Sequence, residues 1–211
     1  QELYTLNVAA HSSSYEYIPY PEIILNDKVI LIGKFFSHSL CQALITTFTN
    51  SKLMESFRQR GTKDYAERFN DRLSVTDPEI ASVIWDRLWK ILQSDEYLVQ
   101  DLGFGKAKGL NPQLRVYRYE KGHHFGKHYD ESVNVDKVGK TKWTLLIYLS
   151  GDDHLVGGDT VFYSPYGNNH RAVHPSRGLA LLHKHGVDCL LHEAEMVRNG
   201  TKWVLRSDVV F

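Results

Sequence analysis

Three histidines and an aspartate stand within the nine residues Gly122 to Asp130, read GHHFGKHYD, in a chain whose charges otherwise balance. In an extended segment, residues two apart project from one face, so His128 and Asp130 would present an imidazole and a carboxylate side by side. That is chelating geometry. A third donor from a distant strand would complete a facial triad of two histidines and one carboxylate, leaving coordination positions open on a divalent metal. His192, in LLHEAEMV, is the candidate, because a late strand of a closed sheet can bring it opposite the first pair. Alone, HxD is a weak signal: the chain has 11 histidines, and a polar loop satisfies the same letters.

The elements that must hold these residues change character along the chain. EIILNDKVILIGKFF reads as β-prone segments broken at Asn26 and Asp27. From Ser37, a candidate N-cap, Leu40, Leu44, Ile45, Phe48 and Leu53 recur at helical spacing. The polar stretch RQRGTKDYAERFNDR has no clean period and reads as a connection. Asp77-Pro78-Glu79 then sets a cap, a first-turn proline and a first-turn acid before the stripe Ile80, Ile84, Leu88, Ile91 and Leu92. Beyond about Asn111 the texture is short β-rich segments: LRVYRYE, KWTLLIYLS, DTVFY, GLALLH, VDCLLHEAEMV and TKWVLRSDVVF. Asn199-Gly200 between the last two is a two-residue hairpin signal. Strands without long helices between them predict an antiparallel sandwich or barrel covered by the two amphipathic helices. The expectation is a single domain over 1–211, with strands and support helices in 1–109 and a β-barrel core in 110–211.

With 25 basic and 25 acidic residues and a pI near 7.3, no overall field draws the protein to nucleic acid or an anionic membrane. No apolar run approaches the roughly 20 residues needed to span a bilayer. Two cysteines, Cys41 and Cys189, make no disulfide framework. The expectation is a soluble monomer of the cytoplasm or nucleus, with a trimmed targeting segment left open by the start at Gln1.

Context sharpens the metal reading. Upstream runs Tyr119-x-x-Gly122-x-x-Phe125-x-x-His128-x-Asp130, downstream Lys202 follows His192 by ten residues, and GGDTVF lies between, at Gly157 to Phe162. On these residues the chain from about Asn111 to Phe211 resembles the Fe(II)- and 2-oxoglutarate-dependent dioxygenases, within them the prolyl 4-hydroxylase-like branch. Phe125 stands where that family often has tyrosine; a hydroxyl is lost and the packing role kept. The resemblance implies a double-stranded β-helix (jelly-roll, cupin-like) core. It implies Fe(II) on His128, Asp130 and His192, and 2-oxoglutarate with its distal carboxylate on Lys202 and Tyr119, with Thr144 in the pocket wall. It further implies O2 as co-substrate, ascorbate as a stimulant, and hydroxylation of a prolyl or other peptidyl carbon with release of succinate and CO2. The need for a cation stands on physics as well, because an unpaired buried carboxylate costs several kcal/mol. Two alternatives remain open: hydroxylation of a free amino acid or small molecule, which calls for a closed pocket with a charged clamp, and a non-catalytic cupin-like binding domain.

On a regular strand Arg206 shares the face of Lys202 and competes with it for the distal carboxylate. Arg115 and Tyr117 share the parity of Tyr119 and are candidates for the substrate mouth. Arg72, with Arg68 and Asn70, falls where a mobile substrate-covering loop would fit the family, and equally where an ordinary connection would. His183 and His185 form a rival HxH pair with no carboxylate beside it in sequence. His123 and His124 read as exposed, His170 and His174 as loop, and Cys189 as buried packing. A regular Asn199-Gly200 hairpin would turn His192 and Lys202 to opposite faces, so a bulge or bend within Glu193 to Met196 is expected to restore a common one.

Overall fold

A computed structural model describes residues 18–165 and 169–211; most of the polar opening, and part of the GNN stretch before His170, lie outside the described residues. In chain order the elements are β1 (Pro21–Ile24), β2 (Val29–Ile32), α1 (His38–Ser51), β3 (Glu55–Gln59), β4 (Arg68–Thr76), α2 (Pro78–Leu92), α3 (Glu96–Gln100), β5 (Gly109–Leu110), β6 (Gln113–Tyr119) and β7 (His124–His128). They continue with β8 (Asn134–Val135), β9 (Gly139–Tyr148), β10 (Val156–Gly157), β11 (Thr160–Tyr163), β12 (His170–Val173), β13 (Ala180–Lys184), β14 (His192–Ala194), β15 (Val197–Asn199) and β16 (Lys202–Val210).

Among the described residues, fourteen strands pair into one antiparallel sheet, ordered β1-β2-β13-β9-β16-β6-β4-β7-β14-β11-β12 along its main path. The sheet curls back on itself: the chain just after β7 touches β9 and β16, from which β6 and β4 separate it along the ladder. This is the double-stranded β-helix. Strand parity divides its faces. On β16 the side chains of Trp203, Leu205 and Val209 join a core with Leu40, Leu44 and Phe48 of α1 and Ile84, Leu88 and Ile91 of α2. Lys202, Val204, Arg206 and Asp208 alternate with them and face the interior of the curl.

Both helix starts follow their sequence signals: Ser37 Oγ accepts from the Leu40 N–H at 3.2 Å, and Asp77 Oδ1 accepts from the Ile80 N–H at 3.0 Å. Helix α1 stops two residues before the end of its stripe, with left-handed Lys52 as its C-cap, which leaves Leu53 exposed. None of the helices among the described residues is long and apolar enough to cross a membrane.

Two expectations need correction. The stretch read as a connection instead supplies the hairpin β3–β4, and Arg68, Asn70 and Arg72 lie on β4, which pairs with both β6 and β7. Its aperiodic letters reflect a strand that lines an open groove with Arg68 and Arg72 and pairs into the barrel sheet. Asn199-Gly200 does not join a hairpin: β15 pairs with β10, whereas β16 pairs with β6 and β9, so the bend at Gly200 carries the chain from one ladder to another. The irregularity expected between Glu193 and Met196 is present: the β14–β7 register shifts between His192 and Ala194, and no strand continues through Glu195 and Met196.

Candidate active site

His128 is the last residue of β7, and Asp130 follows just past the strand end, with exposed Tyr129 pointing away between them. His192 opens β14 and is the register partner of His128, which sets their ring centroids 4.2 Å apart. One donor atom from each of His128, Asp130 and His192 falls within 4.8 Å of the others.

Each imidazole is oriented by the backbone. His128 Nδ1 lies 2.8 Å from the Gly126 carbonyl, and His192 Nδ1 lies 2.9 Å from the Leu190 carbonyl. A carbonyl only accepts, so each ring carries its proton on Nδ1 and turns a bare Nε2 toward Asp130, at 3.7 Å and 3.9 Å. Burial, then the neighbouring His192, pushes His128 down to about 3; burial likewise lowers His192. Both rings are thus neutral at physiological pH, the state a metal requires.

Asp130 is buried and held on every side. Thr144 Oγ1 donates to its Oδ2 at 2.8 Å, Arg206 Nη2 approaches the same oxygen at 3.1 Å, and Arg206 Nη1 donates to Oδ1 at 3.3 Å. The Asp130 N–H donates to the Cys189 sulfur at 3.3 Å, and its carbonyl accepts from the Gly186 N–H at 2.8 Å. Burial would raise the carboxyl, but the Arg206 guanidinium outweighs it and holds the group well below the usual carboxylate range. Burial pushes the Cys189 thiol up to about 11, so it is packing and a hydrogen-bond partner, not a thiolate.

Behind the triad an inner cavity is lined by Tyr119, Leu146, Tyr148, Thr160, Lys202 and Val204, among others. Lys202 is 2% exposed, and its ammonium donates to the Gly158 carbonyl at 2.6 Å and reaches Thr160 Oγ1 at 3.5 Å. Gly157 and Gly158, at φ 75° and 73°, form the left-handed turn that presents this carbonyl. No carboxylate of the described residues lies within ion-pair distance of Lys202, and burial presses its ammonium down to about 7. A buried cation without a counter-ion, at the end of a cavity that starts at bare imidazole nitrogens, fits a dianion that chelates at one end.

Outside the triad lies a groove of about 820 Å³ under the β3–β4 hairpin, whose lining includes Phe57, Tyr65, Arg72, Arg115, Tyr117 and Tyr129. Arg68 stands at the neck between groove and cavity, its guanidinium 4.3 Å from the Phe125 ring centroid and 4.6 Å from that of Tyr117.

Some residues fall elsewhere than expected. Thr144 is not in the cavity wall, because ladder register places it opposite Asp208 and His183 and its hydroxyl goes to Asp130; Thr160 and Tyr148 take the wall instead. Arg206 pairs with Asp130 and Asp208 and so is not a free cation for a ligand. His123 is buried against Phe69, not exposed, and His170 lies on β12, not in a loop. His183 has a carboxylate after all: Asp130, remote in sequence, lies 3.5 Å from its Nε2. Thr160 and Tyr148 escaped the sequence, and Arg68 and His183 were singled out there without their observed places, because those places are set by cross-strand register, which single-sequence spacing does not carry.

Residues 114–207 match the family model described as the 2OG-Fe(II) oxygenase superfamily. No curated protein matches the chain. Among solved structures, the viral collagen prolyl hydroxylase of Paramecium bursaria Chlorella virus-1, in complex with 2OG, superposes with a TM-score of 0.58 at 20% identity, covering 86% of this chain and 95% of that one. A Pseudomonas putida prolyl-4-hydroxylase gives 0.58 at 13% identity, over 87% and 93%. A Trichoplax adhaerens prolyl hydroxylase, in complex with a hypoxia inducible factor oxygen degradation domain peptide fragment, gives 0.60 at 15%, over 87% and 83%. At these identities the likeness is one of fold.

Proposed function

We propose, from the match of residues 114–207 to the 2OG-Fe(II) oxygenase superfamily model, that this chain is an Fe(II)- and 2-oxoglutarate-dependent dioxygenase that hydroxylates a prolyl or other peptidyl carbon. In this reading His128 and His192 offer their Nε2 lone pairs and Asp130 a carboxylate oxygen to the iron. Lys202 pairs with the distal carboxylate of 2-oxoglutarate, with the Tyr119 and Thr160 hydroxyls beside it. The observation that carries the reading is the pairing of the bare-nitrogen triad with an unneutralised buried ammonium in one cavity. Bound there, iron and the 2-oxo acid supply O2 activation coupled to release of succinate and CO2.

The protein's own residues do the positioning. Thr144 and Arg206 fix the Asp130 carboxyl, the Gly126 and Leu190 carbonyls fix both imidazoles, and Arg68, Tyr117 and Phe125 narrow the neck against bulk water. The groove's volume and its open, aromatic and arginine-bearing walls suit an extended peptide better than a closed pocket for a free amino acid, with Arg72, Arg115 and Tyr117 at the mouth. We further assign O2 as co-substrate, ascorbate as a stimulant, one catalytic domain over 1–211, a monomeric state without nucleic-acid or membrane partners, and a cytoplasmic or nuclear location.

The test adds Fe(II) and 2-oxoglutarate without oxygen, follows the weak visible charge-transfer band, then admits oxygen and measures succinate with proline-containing peptides and with free amino acids. Succinate formation stimulated by a peptide and by no free amino acid supports the reading. Absence of both band and succinate favours a cupin-like binding domain.

A further inference from the structure

The HxH pair His183 and His185 is not absorbed by this reading, and His183 belongs to a second group of donors beside the first. One donor atom from each of His183, Cys189 and His192 falls within 4.8 Å of the others, and all three residues are buried. His183 lies on β13, where it is 2% exposed, and its ring centroid is 4.5 Å from that of His192. Its Nδ1 lies 3.1 Å from the Lys184 carbonyl, which only accepts, so the ring proton is on Nδ1 and Nε2 carries a lone pair. That Nε2 is buried without a hydrogen-bond partner. Asp130 Oδ2, 3.5 Å away, does not satisfy it, because a carboxylate oxygen offers no proton and this one is already taken by Thr144 and Arg206. Cys189 is brought alongside by the short loop from β13 to β14, in which the Gly186 N–H donates to the Asp130 carbonyl at 2.8 Å and the Cys189 N–H to the Gly186 carbonyl at 3.1 Å. Its sulfur stands 3.9 Å from His192 Nδ1, and its own proton goes to the Leu190 carbonyl at 3.4 Å. A bare imidazole nitrogen in a buried place needs a proton or a cation, and here it stands beside a thiol and a second imidazole.

We propose that His183, Cys189 and His192 form a second, inhibitory site for a thiophilic divalent cation of the zinc class, which cannot be filled together with the triad of His128, Asp130 and His192. The inhibitory part rests on the dioxygenase reading; the site itself does not. The donors sort the metals: thiolate and imidazole favour zinc, whereas the carboxylate of the first group suits iron and manganese. Binding expels the Cys189 proton to solvent, so the ion takes one thiolate and two neutral imidazoles, with the fourth tetrahedral position left to water. His192 is common to both groups. Its Nδ1–H is held by the Leu190 carbonyl at 2.9 Å, so it has one lone pair to give and serves one metal at a time. A zinc-class ion therefore takes a ligand away from the triad instead of occupying it.

The test uses the full chain, reduced and free of oxygen, with Mn(II) in the triad and Cd(II) as the zinc-class probe. In the wild type, Cd(II) should produce a near-ultraviolet thiolate-to-metal charge-transfer band and release the bound Mn(II), read as the electron paramagnetic resonance of the free ion. Absence of the band, or a band that grows while Mn(II) stays bound, overturns the proposal. Cys189→Ser, which keeps an acceptor for the Asp130 N–H, should abolish the band. His183→Phe keeps an aromatic ring beside Phe162, its neighbour at 5.5 Å, and should raise the Cd(II) concentration that gives half the band about tenfold or more. A band that persists in Cys189→Ser, and so comes from Cys41, or an unchanged titration of His183→Phe overturns the site. Asp130→Ala separates the two levels, since Asp130 belongs to the triad alone. Loss of Mn(II) with the Cd(II) band kept supports both. If Asp130→Ala binds Mn(II) like wild type, the dioxygenase reading falls while the band leaves the second site standing; if the band disappears with Asp130, the second site falls.

Discussion

Without cosubstrate, a solution taken from about pH 6 to about pH 9 should discharge Lys202, whose buried ammonium is pressed from the ordinary 10.5 down to about 7. The difference corresponds to about 5 kcal/mol against the buried charge. Because the folded value lies below the unfolded one, the unfolded chain binds more protons between about pH 7 and pH 10.5, and Lys202 makes stability rise with pH across that window. Its cost is fully present below about pH 7. A dianionic ligand reverses the balance by supplying the missing counter-charge, and the ammonium regains a proton on binding. Calorimetry in buffers of different ionisation enthalpy should therefore find about 0.1 proton taken up per 2-oxoglutarate at about pH 6 and about 0.9 at about pH 8, with affinity falling up to tenfold per pH unit above about 7. Lys202→Met should weaken 2-oxoglutarate by about 2–5 kcal/mol while stabilising the ligand-free fold at about pH 6, where the wild type buries an unpaired charge. A binding enthalpy independent of buffer at about pH 8, or a Lys202→Met variant with wild-type affinity, would refute the assignment of Lys202 to the distal carboxylate.

Other perturbations separate the remaining roles. Thr144→Val removes the hydroxyl from Asp130 Oδ2 and should cost about 10–100-fold in Mn(II) affinity; an effect confined to the KM for 2-oxoglutarate would return Thr144 to the pocket wall. Arg115→Ala, on the groove, should raise the KM for a peptide substrate several-fold and leave kcat and the KM for 2-oxoglutarate unchanged; a fall in kcat alone would remove it from the substrate mouth. Leu88→Ala empties a fully buried position under α2 and should cost about 2–5 kcal/mol in denaturant unfolding with Mn(II) affinity intact.

What the sequence determined by itself is local. Ser37 and Asp77 cap the helices they announce, the apolar stripes of α1 and α2 meet the sheet, and alternation along β16 puts Lys202 and Arg206 on the face opposite Leu205. These signals act over a few residues, where hydrogen bonds and side-chain periodicity are fixed by backbone geometry alone. The donor letters His128, Asp130, His192 and Lys202 were legible for the same reason, as spacings along the chain. Tertiary structure decided the rest. Arg206 reaches Asp130 from 76 residues away, His183 turns toward the same carboxylate, and Thr144 leaves the pocket wall for it, all because β7, β9, β13 and β16 meet across a curled sheet. At Asn199-Gly200 the chain bends, with Gly200 left-handed, but forms no hairpin, since a bend fixes the direction of the chain and not which strand the next segment joins. That choice rests on burial of whole faces across the barrel, where each strand's partner lies tens of residues away and its register leaves no mark on the letters nearby.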